Sequence, residues 1–197
     1  MTLVLLFAFM QPPAVPTSAE AALAAYRQAI EKGDPEAFAA LTAGAPGTAL
    51  RTMAPALKKA QAASDAFTKA LGEKPNLNVT NPFADELNLL RGYQFELIEL
   101  TKGKDEQLAR VRFGLANRLQ EETLSVKKEG DGYRVSAPSV YLKSIKELTP
   151  ERLKKQVDTL NALAGILNSL AEQVSKGQLT TKEAVLLKLA QAVKDIK

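Results

Sequence analysis

Residues 93 to 137 read YQFELIELTKGKDEQLARVRFGLANRLQEETLSVKKEGDGYRVSA. Within this stretch the apolar side chains change from a helical repeat to a repeat of two. Tyr93, Phe95 and Leu97 alternate with Gln94 and Glu96, and the phase slips at Leu97-Ile98, as a β-bulge would make it. Ala109, Val111, Phe113 and Leu115 alternate with Arg110, Arg112 and Gly114. Thr123 to Lys127 forms a third run, and Tyr133, Val135 and Ala137 a fourth that Pro138 closes. Lys102-Gly103-Lys104-Asp105 makes one turn and Glu129-Gly130-Asp131-Gly132 another, its Asp-Gly pair supplying positive φ. Four strands with hairpin links predict an antiparallel meander, apolar on one face and polar on the other. The preceding helices are the natural cover for the apolar face.

Those helices are legible from their caps and stripes. Thr17-Ser18-Ala19-Glu20 has capping-box spacing, and Ala19, Leu23, Tyr26 and Ile30 follow on one face until Gly33. Asp34-Pro35-Glu36 restarts the chain as N-cap, first-turn proline and first-turn acid. This second helix carries Phe38 and Leu41, and Gly44-Ala45-Pro46-Gly47 is expected to break it. From Thr48, the residues Leu50, Met53, Leu57, Ala60, Ser64, Phe67 and Leu71 keep one stripe, with Pro55 predicting a start or a kink. Glu73 to Asn81 is irregular, and Asn81-Pro82 predicts a short helix through Leu90 that ends at Gly92.

Beyond the sheet, Thr149-Pro150-Glu151 opens a helix whose stripe runs from Leu153 through Val157, Leu160, Ala164, Leu167 and Ala171 to Val174. Lys176-Gly177 stops it. A second capping box, Thr180 to Glu183, leads into Leu186, Leu189, Val193 and Ile196, which completes an αα-hairpin. The expected class is therefore α+β, with N-terminal helices packed on a four-stranded antiparallel meander and a C-terminal αα-hairpin after it. The expected organisation is a signal-like segment over 1–16, a domain of helices plus sheet over 17–142, and the hairpin over 143–197.

Composition excludes more than it proposes. The 197 residues include no His, no Cys and no Trp. Thiol nucleophiles, disulfides, Cys/His zinc sites, His bases and Ser-His-Asp triads are thereby ruled out. Phosphate-cradling glycine loops and Asp-rich calcium loops are absent from the sequence too, so no metal, no cofactor and no catalytic residue is assigned. The net charge is +4, from 26 basic and 22 acidic residues. Residues 1–142 hold 16 of each sign, while 143–197 hold 10 basic and 6 acidic. That segment has no aromatic residue and its lysines are interspersed with acids, so it reads as a solvated helical face rather than a nucleic-acid surface.

Met1 to Met10, MTLVLLFAFM, is apolar but half the roughly 20 residues that a membrane span needs. Gln11-Pro12-Pro13-Ala14-Val15-Pro16 follows, which is the layout of an export signal, although no Lys or Arg precedes Arg27. Export to the periplasm or medium is the expectation, with no transmembrane span. Ala14 and Thr17-Ser18-Ala19 are the candidate cleavage positions.

The segment AEAALAAYRQAIEKGDPEAFAALTA at 19–43 resembles the opening helix pair of the nuclear-transport-factor-two-like superfamily of cone-shaped α+β domains. VKKEGDGYRVSAP at 126–138 is similar to that family's closing hairpin. The likeness is strongest to small secreted bacterial members, whose functions are largely unassigned. The long helix from 48 to 71 and the hairpin from 149 to 196 are additions to that plan. Four strands are counted here, where a full cone has five or six.

The resemblance implies an apolar mouth, and in the family's enzymes a carboxylate base beside a Tyr or Asp donor. Candidates of the right type are Glu96, Glu99, Glu121 and Glu122, with Tyr93, Tyr133 and Tyr141, but no catalytic residue of the family maps onto a position here. Alternation puts Glu96 in solvent, Glu121 and Glu122 sit beside an expected turn, and Arg110 and Arg112 are placed for cross-strand ion pairs. Tyr93, Phe95, Phe113 and Tyr133 are the ligand-binding candidates. The expected function is an exported, non-enzymatic domain that binds a small apolar ligand or a protein partner. One alternative is an isomerase, cyclase or hydratase with a carboxylate base in a cone pocket. Another is a structural envelope or assembly protein that self-associates through helices 150–196.

Overall fold

Ser18 opens the first helix, α1 (Ala19–Lys32), by accepting a hydrogen bond from the Ala21 amide at 3.1 Å. The cap is thus one residue later than the capping-box spacing predicts. Gly33 closes α1 at φ +64°, a left-handed position that glycine takes at no steric cost. Asp34 then caps α2 (Pro35–Leu41), accepting from the Glu36 and Ala37 amides. The computed structural model describes residues 15–88, 90, 92–103, 106–146 and 148–194. Met1–Met10 and Ala14 lie outside the described residues.

The third helix, α3 (Gly44–Gly72), corrects two expectations. It starts at Gly44, so Gly44-Ala45-Pro46-Gly47 is its first turn rather than a break. Pro46 lies in that turn, where an amide has no intrahelical acceptor to lose. No side chain next to the start caps the helix; instead the Glu129 carboxylate, 85 residues away, accepts from the Gly44 amide at 3.0 Å. Burial pushes the Glu129 carboxyl up, yet Arg134, Lys127 and that amide outweigh it and hold it below the ordinary carboxylate range. Pro55 lies inside the continuous helix on its exposed side.

After a single 3₁₀ turn at Pro75–Leu77, the stretch from Asn81 to Asn88 forms turns and not the expected helix. Asn81 is buried and its amide is spent on α3. Its Nδ2 donates to Ser64 O, Ser64 Oγ and Thr68 Oγ1, and its Oδ1 accepts from the Phe83 amide.

The sheet is the expected meander, β1 (Tyr93–Lys102), β2 (Gln107–Leu115), β3 (Arg118–Glu129) and β4 (Gly132–Val135), all antiparallel neighbours in that order. The register of β1 on β2 shifts between Leu97 and Glu99, where the sequence phase slips. This bulge lets both Glu96 and Glu99 face outward, opposite Arg112 and Arg110. β3 is longer than the run read from Thr123, so Glu121 and Glu122 lie within a strand rather than beside a turn. In the last hairpin the positive φ, +62°, belongs to Gly130 and not to the Asp-Gly pair. A two-residue loop of the II′ type places its glycine at that first position.

The inner face of the sheet (Phe95, Ala109, Val111, Phe113, Leu124 and Val126) packs against Leu23, Tyr26 and Ile30 of α1. The far side of β4 is closed by Ala43, whose amide donates to Val135 O, and by Pro16, whose carbonyl accepts from the Tyr133 amide. Three helices follow: α4 (Ser139–Lys146), α5 (Pro150–Ser175) and α6 (Lys182–Lys194). The Thr149 cap and the Gly177 stop of α5 are as expected. Thr181, not Thr180, caps α6 by accepting from the Ala184 amide. Leu189 is buried and Val193 packs against the core as expected, but Val185 and not Leu186 completes that face of α6. Ile196 lies outside the described residues.

A second core joins α3 to the C-terminal helices through Leu57, Phe67, Leu71, Leu163, Leu167 and Val185, among others. Among the described residues no helix is long and apolar enough to cross a membrane.

Candidate functional site

Six aromatic rings line the contact between the helices and the sheet. Tyr26 touches Phe38 and Phe95 at centroid distances of 4.9 and 5.7 Å, and Tyr141 touches Phe38, Phe113 and Tyr93 at 5.4, 5.9 and 6.1 Å. Tyr93 stacks on Phe113 at 5.1 Å. Three of the four ligand-binding candidates, Tyr93, Phe95 and Phe113, thus belong to one cluster. Phe95 and Phe113 are buried and Tyr93 half-buried. Tyr133 sits apart on β4, beside Lys102 and Lys128 at the other end of the sheet.

This cluster closes the space between α1, α2, α4 and the inner face of the sheet. Beside it remains a cavity of only about 30 Å³, bounded by Phe38, Leu50, Met53, Leu57, Leu90 and Tyr141. Burial pushes both Tyr26 and Tyr141 hydroxyls well above the usual phenol range. Tyr26 Oη has no hydrogen-bond partner, although Thr42 lies close enough to act on it; the Thr42 hydroxyl donates to Phe38 O at 2.7 Å. An unsatisfied buried hydroxyl costs about 1–3 kcal/mol. Tyr26→Phe is therefore expected to raise stability by about 1 kcal/mol, seen as a higher urea midpoint at unchanged slope. A drop in midpoint would mean that the hydroxyl bonds Thr42.

The carboxylates stand elsewhere. Glu96 pairs with Arg112 at 3.2 Å and Glu99 with Arg110 at 3.4 Å, while Glu121 reaches both arginines. All five side chains are about half exposed, so this outward ladder adds little stability. Glu122 alone of the four points to the helix side, and its oxygens accept from the Ser139 amide and hydroxyl at 2.9 and 2.8 Å. No Asp or Glu among the described residues is buried. Nor do three acidic residues come together there as a metal site would require.

A larger space lies between α3, the turn at Glu86-Leu87 and the first half of α5. It is an open groove of about 480 Å³. Met53 and Leu57 of α3, Leu87 and Leu160 make its apolar surfaces. Arg152, Lys155, Gln156 and Thr159 of α5 line it at successive intervals of three, one and three, so they share one helical face.

The groove has a simple origin. From Leu163 to Val174 the α5 stripe is buried against α3, but Leu153, Val157 and Leu160 are only half-buried. Met53 and Leu57 border both this groove and the 30 Å³ cavity, so one wall separates the groove from the aromatic cluster. No groove residue was among the ligand-binding candidates. The 152–155–156–159 spacing was the available signal, and it is also the spacing of an ordinary solvated helix face.

The chain matches no protein-family model, no curated protein and no solved structure.

Proposed function

We propose that this chain is an exported, non-enzymatic binding domain of the cone-like α+β type, and that its ligand is a small apolar molecule held between α3 and α5. One observation carries the reading: an apolar groove of about 480 Å³, with polar groups gathered on one wall. Small-molecule sites have this composition and fall in the range of roughly 300–1,000 Å³. The helix–Gly–Asp–helix corner and the β3–β4 hairpin, where the sequence resembles the cone family, support the family reading. Export is supported by the N-terminal layout, and the cap of α1 favours the earlier cleavage position. Cleavage at Ala14 would leave Ser18 in place, whereas cleavage after Ala19 would remove both the cap and a fully buried residue. The carboxylate-base alternative finds no buried acid among the described residues. The assembly alternative has one observation in its favour, the exposed Leu186 and Leu187 on α6.

Native mass spectrometry of the protein purified from its own host tests the reading. The expected spectrum is a chain lacking its first residues and carrying one small-molecule adduct, which is lost in Leu160→Trp, a variant that fills the groove. A chain that carries no adduct and takes up no Nile red overturns the binding role. The same spectrum counts subunits, so an adduct-free oligomer would favour assembly.

A further inference from the structure

The groove is not uniform, and its asymmetry specifies a ligand class. The α3 side and Leu87 offer hydrocarbon only, while α5 offers two cations and two hydrogen-bonding side chains on one face. A single acid, Glu86, lies on the opposing rim. Lys155, like most lysines among the described residues, enters no ion pair, so its charge at the groove is not already spent on a carboxylate. An ammonium beside a mostly apolar surface favours an anion that brings its own apolar body, because the charge stays at the wet rim and the body leaves water. The wall toward the aromatic cluster is Met53 and Leu57, and a methionine side chain adapts its shape readily. A tail entering beside Met53 would run toward Leu90 and Tyr141, which bound the 30 Å³ cavity behind it. At about 480 Å³ the groove is near the lower end of ligand-site sizes, which suits one tail rather than two.

On these grounds we infer that the ligand is a single-chain amphiphile with a carboxylate head, a free medium-chain fatty acid, its head at Lys155 and its tail along Met53 and Leu57. This rests on the binding role proposed above. It places the site outside the space between helices and sheet, which the aromatic rings close.

The test is calorimetric titration of the full chain with decanoate and decyltrimethylammonium, each below its micelle concentration, and with decanol below its solubility limit. Decanoate is expected to bind at least tenfold more tightly than decanol, and decyltrimethylammonium most weakly. Lys155→Glu should weaken decanoate tenfold or more and leave decanol unchanged; Lys155→Gln should do the same to a smaller degree. Lys155 is exposed, so neither variant is expected to alter the melting temperature. Met53→Trp, acting on the tail, should weaken decanoate and decanol alike. Equal binding of decanoate and decanol, with no effect of either Lys155 variant, overturns the head-group assignment and leaves the binding role standing. Preference for the ammonium overturns it too, with Glu86 as the selecting charge. If none of the three binds and the host-purified chain carries no adduct, both the inference and the binding role fall.

Discussion

Phe67→Ala is expected to destabilise the protein by about 3–5 kcal/mol, the usual cost of emptying a phenylalanine site in a packed core. Phe67 is fully buried on α3, in the core shared with Leu71, Leu163, Leu167 and Val185. Its removal leaves a hole bounded by long helices on both sides, which relax poorly. Against a typical total of roughly 5–15 kcal/mol, such a loss is a large fraction of the stability. Urea titration followed by circular dichroism reads it as a lower midpoint at an unchanged slope. A loss below about 1 kcal/mol would mean that α5 closes over the gap, and that the α3–α5 contact is softer than its burial implies.

Gly47→Ala is expected to cost about 3 kcal/mol, at the upper end of overpacking effects. A methyl group there would lie 1.9 Å from Thr42 O and 2.6 Å from Thr42 C. Both are backbone atoms, and their surroundings are held. Thr42 O accepts from Arg51 Nη1 at 3.0 Å, and the next amide, that of Ala43, donates to Val135 O at 2.8 Å. The first turn of α3 can make room only by leaving β4. Gly165, in the middle of α5, provides the opposite case, because an added methyl meets nothing within 4 Å. Gly165→Ala is expected to stabilise by about 0.5–1 kcal/mol through helix preference alone. Thermal melts of the two variants should move in opposite directions; a shared direction would mean that helix preference, not the Thr42 approach, governs Gly47.

Local signals were enough for most of the fold. Gly33, Asp34-Pro35, Thr149-Pro150 and Gly177 act through nearest neighbours and can be read without knowing the rest of the chain. The slip at Leu97-Ile98 is also local, since alternation breaks wherever a strand gains a residue. The misreadings arise where a distant group decides. Gly44-Ala45-Pro46-Gly47 looks like a breaker, yet Glu129 caps it from another element and Thr42 makes glycine necessary at 47. Asn81-Pro82 looks like a helix start, and Asn81 Oδ1 does accept from the Phe83 amide as a cap would, but its NH2 group ties the residue to Ser64 and Thr68 of α3 and the chain beyond it forms only turns. Leu186 and Val185 fit a helical stripe about equally well, and only contact with the second core selects Val185.

The candidate site was legible in part. Tyr93, Phe95 and Phe113 meet because they fall on one face of adjacent strands, which alternation reports. Tyr133 is on a suitable strand but at the other end, and alternation carries no information about that. The groove was not legible. It exists because α5 stays against α3 from Leu163 onward and leaves Leu160 half-covered, a property of how two helices cross rather than of either sequence.

The bulge in β1 has a consequence for the behaviour of the protein in concentrated solution. β1 is the outermost strand on its side of the sheet, and at ten residues it is long for an edge. A straight strand of that length would offer a second molecule an uninterrupted row of amides and carbonyls to zip onto. The extra residue at Leu97–Glu99 breaks that row near its middle, between Glu96 and Glu99, each of which is paired with an arginine of β2. Two such edges brought side by side would meet out of step. One inserted residue thus makes this border a poor seed for fibrous growth while leaving the paired side of the strand intact.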